Sequence, residues 1–207
     1  MRIILRGIII GTGPSLTPQA IEIVKSSKLP KFGCNLAFKS IDLDALYINN
    51  REFWAYYSDE LDRYECPKWT YHKDIAEKHR AHFVEGLWES GLSTDSRYLH
   101  WGHGSGYELL GISFLLGIRE FILIGYDLRY PQGYSKASRD PGGKRHFFGE
   151  YPKELEHWPS VGKDGEMTGL LNCYRTIDVE DYGIRIINCS PGSALDFFET
   201  GNLEDYV

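Results

Sequence analysis

The sequence predicts an α/β domain in which a parallel sheet is covered by helices on both faces. Three observations lead there. Ile3 to Ile10 is an apolar, largely β-branched run that stops at Gly11, as a strand buried on both faces does. Glu120 to Gly125 (EFILIG) is a second such run and reads as a central strand. Around these, short apolar runs alternate with segments of helical composition, the pattern of strand–helix–strand units joined in parallel. The expected architecture is one Rossmann-like domain over residues 1–207, in which about 128–166 form a long functional loop or lid after the Glu120–Gly125 strand.

The elements follow in order. Thr17-Pro18-Gln19-Ala20 opens a helix reaching about Lys25, because Thr17 suits a capping position and Pro18 suits the first turn. Strands are predicted at Lys31–Asn35 and Ala45–Asn49, then an aromatic-bearing helix over Glu52–Tyr64. Lys68–His72 reads as a strand and Asp74–Phe83 as a helix. Leu99–His103 reads as a strand running into Gly104-Ser105-Gly106, with a helix over Tyr107–Gly117. After Asp127 comes a stretch rich in Gly, Pro, Lys and aromatics that reaches about Glu166. A loop of that length in a compact domain is uncommon and usually functional. Met167–Asp181 is predicted helical, Ile184–Cys189 a strand, and Ser193–Phe198 a last helical turn or two.

Composition narrows the function classes. A chain of 207 residues buries roughly 70% of its unfolded surface, so it folds without a metal or a disulfide. The net charge is −6 and no basic block exceeds Lys144-Arg145, which gives no strong nucleic-acid signal. The four cysteines lie far apart with no C-x-x-C pair, as expected of reduced thiols in a cytoplasmic protein. No segment has the ~18 apolar residues of a membrane span. Arg6 interrupts the apolar N-terminal run, which reads as a first strand and not as a signal sequence. The 14 Tyr, 10 Phe and 5 Trp fall partly in loop-like stretches, where aromatics line ligand clefts or fill out a core.

In a parallel sheet of this kind ligands bind beyond the carboxyl ends of the strands. The conspicuous polar clusters all fall there. Gly11-Thr12-Gly13-Pro14-Ser15 is a strand-to-helix turn whose glycines let backbone N–H groups approach a nucleotide phosphate. A tight turn without a ligand would use the same residues. It is neither a dinucleotide fingerprint nor a P-loop, because Pro14-Ser15 follows and no Gly-Lys-Ser/Thr does. Asn35, Asn49 and Asn50 are amides suited to base, ribose or sugar hydroxyls, and equally to turns. Ser105 and Gly106 offer a second anion-binding turn, or Ser105 is a plain helix cap. Asp127 follows the central strand at the same edge and is a further candidate for donor binding.

Asp42-Leu43-Asp44 has a metal-binding spacing but precedes its strand, so solvated acids are expected there, and His79 with His82 reads as a solvated helix face. No metal and no cofactor is expected. In the long loop, Lys144-Arg145-His146-Phe147-Phe148-Gly149-Glu150 combines cations, an imidazole, a carboxylate and aromatics. Such a loop can close over a substrate and deliver a general base. His157 is a second histidine placed for that role.

The order of these motifs resembles a known group over nearly the whole chain. Gly11 to Leu16, Cys34-Asn35, an asparagine after the third strand, Ser105-Gly106, Leu116 to Asp127 and Asn188 to Leu195 are similar to the bacterial sialyltransferases that use CMP-activated sialic acid. They are also similar to the central domain of flagellin-glycosylating motility accessory factors and to hydroxymethylpterin diphosphokinase-like domains.

The resemblance implies that Gly11 to Ser15 hold the donor phosphate or ribose, and that Asn35 and Asn49/Asn50 contact nucleotide and sugar. It implies that Ser105 and Gly106 take the sugar carboxylate or hydroxyls, that Tyr130 or Tyr134 stabilises the leaving phosphate, and that His146 or Glu150 is the base. The expected activity is metal-independent glycosyl transfer from a nucleotide-sugar donor to a glycan or other acceptor hydroxyl, in a possible homo-oligomer. Pterin diphosphokinase chemistry with ATP and Mg²⁺ and a nucleotide-binding module without catalysis are the alternatives.

Overall fold

The computed structural model describes residues 5–102, 104–130, 145–155 and 166–207. Strand β1 (Leu5–Ile10) leads through the Gly11 turn into α1 (Pro18–Ser26), capped by Thr17 Oγ1, which accepts the Ala20 N–H. Strand β2 (Lys31–Cys34) passes into a 3₁₀ turn over Asn35–Lys39 and is followed by β3 (Ala45–Tyr47), α2 (Arg51–Tyr56) and α3 (Ser58–Arg63). Next come β4 (Lys68–Thr70), α4 (Lys73–His79), β5 (His82–Phe83), β6 (Glu85–Leu87) and β7 (Tyr98–His100). The described chain ends with α5 (Ser105–Leu115), β8 (Ile118–Ile124), α6 (Thr168–Tyr174), β9 (Arg185–Asn188) and β10 (Glu199–Thr200).

Eight strands form one parallel sheet in the order β10-β9-β8-β1-β2-β3-β4-β5. Ile8, Ile9 and Ile10 are wholly buried, and their alternation divides the core. Ile9, with Phe121 and Leu123 of β8, faces the layer of α5 and α6. Ile8 and Ile10, with Ile122 and Ile124, face α1, α2 and α3. A strand sandwiched this way needs apolar residues on both sides, which is why both runs read as continuous in the sequence. Helix α5 is apolar all round because it is buried all round, and Gly111 gives room for Leu99 of β7 to approach.

Several boundaries differ from the sequence expectation, each for a local reason. The predicted Glu52–Tyr64 helix breaks at Tyr57 (φ −104°, ψ 20°) into α2 and α3. The predicted Asp74–Phe83 helix ends at His79, where Arg80 takes a left-handed cap, and His82–Phe83 instead adds a strand to β4. His79 is buried against Trp54 with Nδ1 2.8 Å from Asp62, so it does not lie on a solvated face. Strand β7 pairs with β6 in a separate two-stranded sheet that the sequence did not signal. Helix α6 stops at Tyr174, and farther on the Asp178 carboxylate accepts the Glu180 and Asp181 N–H groups in a turn. Ser193–Phe198 forms turns without a helix. Its polar atoms brace the turn after β8: Ser193 Oγ donates to the Tyr126 carbonyl and the Ala194 N–H to that of Asp127. Asp44, half of the acidic pair, accepts the Lys31 N–H at the entrance to β2. Among the described residues no helix is long and apolar enough to cross a membrane.

Candidate functional site

Strand order reverses at β1, with β2 on one side and β8 on the other, and a cleft of about 530 Å³ opens at their carboxyl ends. This is the crevice in which open α/β sheets take ligands.

The Gly11–Ser15 turn forms one wall. Three of its N–H groups are held within the protein: Gly11 donates to Ile124 O (2.9 Å), Gly13 to Gly125 O (2.8 Å) and Ser15 to Asp127 Oδ1 (3.1 Å). The Ser15 hydroxyl also donates to Asp127 Oδ2 at 2.7 Å. A Cβ on Gly11 would run into the Gly125 carbonyl, and one on Gly13 into the Asp127 carboxylate. The glycines therefore serve the close approach of the turns after β1 and β8, and Thr12 and Pro14 face the cleft. Burial pushes the Asp127 carboxyl above its ordinary pKa, while the Ser15 hydrogen bonds pull the other way.

The opposite wall is a polar cluster. Asn35 follows β2 with φ 49°, a left-handed conformation that asparagine tolerates. Ser105, the first residue of α5, donates to Asn49 Oδ1 (2.9 Å) and lies 3.4 Å from Asn35 Oδ1. It is thus not the helix cap, a position that falls to Gly104. Asn49 Nδ2 donates to Glu108 Oε2 at 2.9 Å, and His72 Nε2 donates to the Asn49 carbonyl at 2.7 Å. Asn50 caps α2 by accepting the Phe53 N–H (2.8 Å) and also lines the cleft. Glu108 is 2% exposed, and burial pushes its carboxyl up to about 7 against the hydrogen bonds it accepts.

The segment 145–155 closes the third side. The Phe147 N–H donates to the Thr12 carbonyl (3.1 Å), and His146 Nδ1 lies 3.4 Å from the Thr12 hydroxyl. The imidazole stacks on Phe148 at 5.0 Å with its edge toward Tyr151. Burial first, then the Arg145 charge, brings its pKa down to about 4, with a Thr12 hydrogen bond opposing. The imidazole is therefore neutral at pH 7. Arg145 is buried and pairs with Glu150, which faces solvent. The cleft wall continues through the buried Tyr130 and through Arg129, whose guanidinium meets Glu166 at 2.8 Å across the base of the loop.

Of the residues singled out in the sequence, the cleft brings together Gly11 to Pro14, Asn35, Asn49, Asn50, Ser105, Gly106, Asp127, Tyr130 and His146. Ser15 lies behind the wall on Asp127, and Glu150 lies outside, on Arg145. Tyr134, Lys144 and His157 fall outside the described residues. Sequence reasoning missed Glu108, Tyr151 and His72. Glu108 had a signal, an acid at the start of the otherwise apolar YELLGISFLL run.

No family model matches the chain, and no curated protein matches it in sequence. Solved structures do match in fold. One is the sialyltransferase CstII from Campylobacter jejuni in complex with a substrate analogue, cytidine-5′-monophosphate. It has a TM-score of 0.57 and 16% identity over 99% of this chain and 88% of that one. Another is an asparagine-to-alanine variant of the sialyltransferase CST-II in complex with CMP, at TM-score 0.56 and 16% identity over 96% and 88%. The chain shares the sialyltransferase-like α/β fold.

Proposed function

We propose that this protein is a metal-independent glycosyltransferase that moves a sugar from a nucleotide donor to an acceptor hydroxyl. The observation that carries the reading is the position of His146. A neutral imidazole is pinned to the Gly11–Ser15 turn at the crevice mouth, opposite the Asn35–Asn49–Ser105 cluster. An inverting displacement needs a base for the acceptor and positive charge for the leaving phosphate, and little else. His146 takes the acceptor proton; Arg145 and Arg129, now paired with Glu150 and Glu166, turn to the phosphate, and Tyr130 donates a hydrogen bond to it, with Tyr134 a further candidate. The amides and Ser105 hold ribose and sugar hydroxyls, and Thr12 and Pro14 pack beside the phosphate. A pKa of about 4 makes His146 a weak base. A phosphate set against Arg145 cancels the charge that contributes to this, and so activates the base only when donor is bound. The fold shared with sialyltransferases solved with CMP supports a nucleotide in this crevice.

A thermal-shift panel of CMP, CDP, UDP, GDP and ATP, each with Mg²⁺ or EDTA, tests the reading. A ligand at about 100 times its Kd adds about 2.7 kcal/mol of stability. Stabilisation by a pyrimidine nucleotide in EDTA, kept in His146→Ala while sugar transfer is lost, is the expected result. Stabilisation by ATP with Mg²⁺ alone would replace the reading with phosphoryl transfer from ATP, and silence from all five would reject it.

A further inference from the structure

Glu108 plays no part in the mechanism above, yet it sits directly beneath the sugar end of the cleft. Its carboxylate accepts Asn49 Nδ2–H at 2.9 Å, and the Tyr47 hydroxyl and the Gly102 N–H act on it in the same sense, holding its pKa down. Because the carboxylate fixes the Asn49 amino group toward itself, the Asn49 carbonyl oxygen turns to Ser105 and takes its hydroxyl proton at 2.9 Å. Two consequences follow. Ser105 Oγ is left presenting lone pairs to the cleft, and an acid already occupies the first turn of α5, where the helix dipole would otherwise favour an anion. The other end of the cleft carries Arg145 and Arg129, each paired with a carboxylate, Glu150 and Glu166. Guanidinium groups thus line the end assigned above to the phosphate, and a buried carboxylate lies beneath the end assigned to the sugar.

On the reading that the cleft binds a nucleotide-sugar, we infer that Glu108 is a specificity-determining positioning residue that selects a donor whose sugar is neutral and hydroxyl-bearing and rejects one carrying a carboxylate. A sugar hydroxyl can donate to Ser105 Oγ, while a carboxylate cannot, and it meets a second negative charge behind Asn49. An acidic sugar enters when Glu108 takes up a proton. By linkage its affinity falls by up to about tenfold for each pH unit above the Glu108 pKa. The groups facing Glu108 do not confuse the assay. Tyr47 on β3, Cys34 at the end of β2, Tyr71 beyond β4 and Cys173 and Tyr174 on α6 all have raised pKa values. His72 is lowered, and Arg51 and Asp74 stay paired and charged.

The test is calorimetric titration of the full chain with UDP-glucose and UDP-glucuronate, which differ in one carboxylate, and with CMP-sialic acid against CMP at pH 8. At pH 8 the expected result is at least a tenfold preference for UDP-glucose over UDP-glucuronate, and weaker binding of CMP-sialic acid than of CMP. The UDP-sugar preference shrinks by pH 6 and is lost at both pH values in Glu108→Gln. If that variant does not fold, the wild-type pH series decides alone. Equal binding of neutral and acidic sugars at pH 8, or a preference that survives Glu108→Gln, overturns the inference while leaving glycosyl transfer standing. Failure of every nucleotide and nucleotide-sugar to bind overturns both.

Discussion

Replacing Glu108 with glutamine tests the buried carboxylate through folding alone, without any ligand. The folded protein holds this carboxyl at about 7 against an ordinary 4.5, because burial penalises its charge. Between those values the folded state binds a proton that the unfolded chain releases. The contribution is therefore fully present below 4.5 and lost as pH rises through 7. At about 1.4 kcal/mol per pH unit the loss comes to roughly 3 kcal/mol by pH 8. The group is 2% exposed, so solvent screening does not reduce this figure. In Glu108→Gln the dependence vanishes. Urea denaturation of both proteins at pH 5, 6, 7 and 8, plotted as the stability difference, cancels every other titrating group. The expected difference curve rises by roughly 2.5 kcal/mol in favour of the variant from pH 5 to pH 8, equivalent to about 5–10 °C in Tm for a domain of this size. A flat curve would refute the placement of an ionisable carboxyl in the floor of the cleft.

Two further predictions concern the clamp between the turns after β1 and β8. Gly13→Ala drives a methyl into Asp127 and the Gly125 carbonyl, and should cost about 3 kcal/mol in urea denaturation at pH 7. Ser15→Ala removes the 2.7 Å hydroxyl bond to a buried carboxylate, and should cost roughly 1.5–3 kcal/mol. The Asp127 pKa should also rise further, because Ser15 now holds it down. Carboxyl NMR titration of that variant reads the shift directly.

The parallel sheet was legible because burial on both faces demands continuous apolar strands, and β1 and β8 supply them. The convergence of Gly11–Pro14, Asn35, Asn49, Ser105 and Asp127 followed from strand ends alone, since a parallel sheet places all of them on one edge. What the sequence hid were pairings with no periodic signal. Strands of two or three residues such as β5, β6 and β10 are set by the neighbour they join, not by their own composition. The same holds inside the site. The glycines after β1 promised free N–H groups, and only the structure shows that Ile124, Gly125 and Asp127 take them up. Ser105 looked like a cap because serine before a helix usually is one, yet its hydroxyl turns instead to an asparagine 56 positions away.

The base strength of His146 provides the last prediction, because it couples the loop to the charge beside it. Burial is the first cause of its low pKa and Arg145 the second. Removing the guanidinium by Arg145→Gln leaves burial in place, so the pKa should rise from about 4 while staying below the ordinary 6.5. Because protonation of the unfolded chain begins near 6.5, this histidine's contribution to stability is present above that value and lost as pH falls through the folded one. The variant therefore loses less stability between pH 6.5 and pH 4 than the wild type does. The His146 Cε1 proton, followed by NMR over pH 3.5 to 7.5, reads the first effect, and urea denaturation over the same range reads the second. A nucleotide phosphate seated against Arg145 should shift the same resonance in the same direction in the wild-type protein. If Arg145→Gln leaves the titration unmoved, the guanidinium does not set the base strength, and activation of His146 by a bound phosphate loses its physical ground.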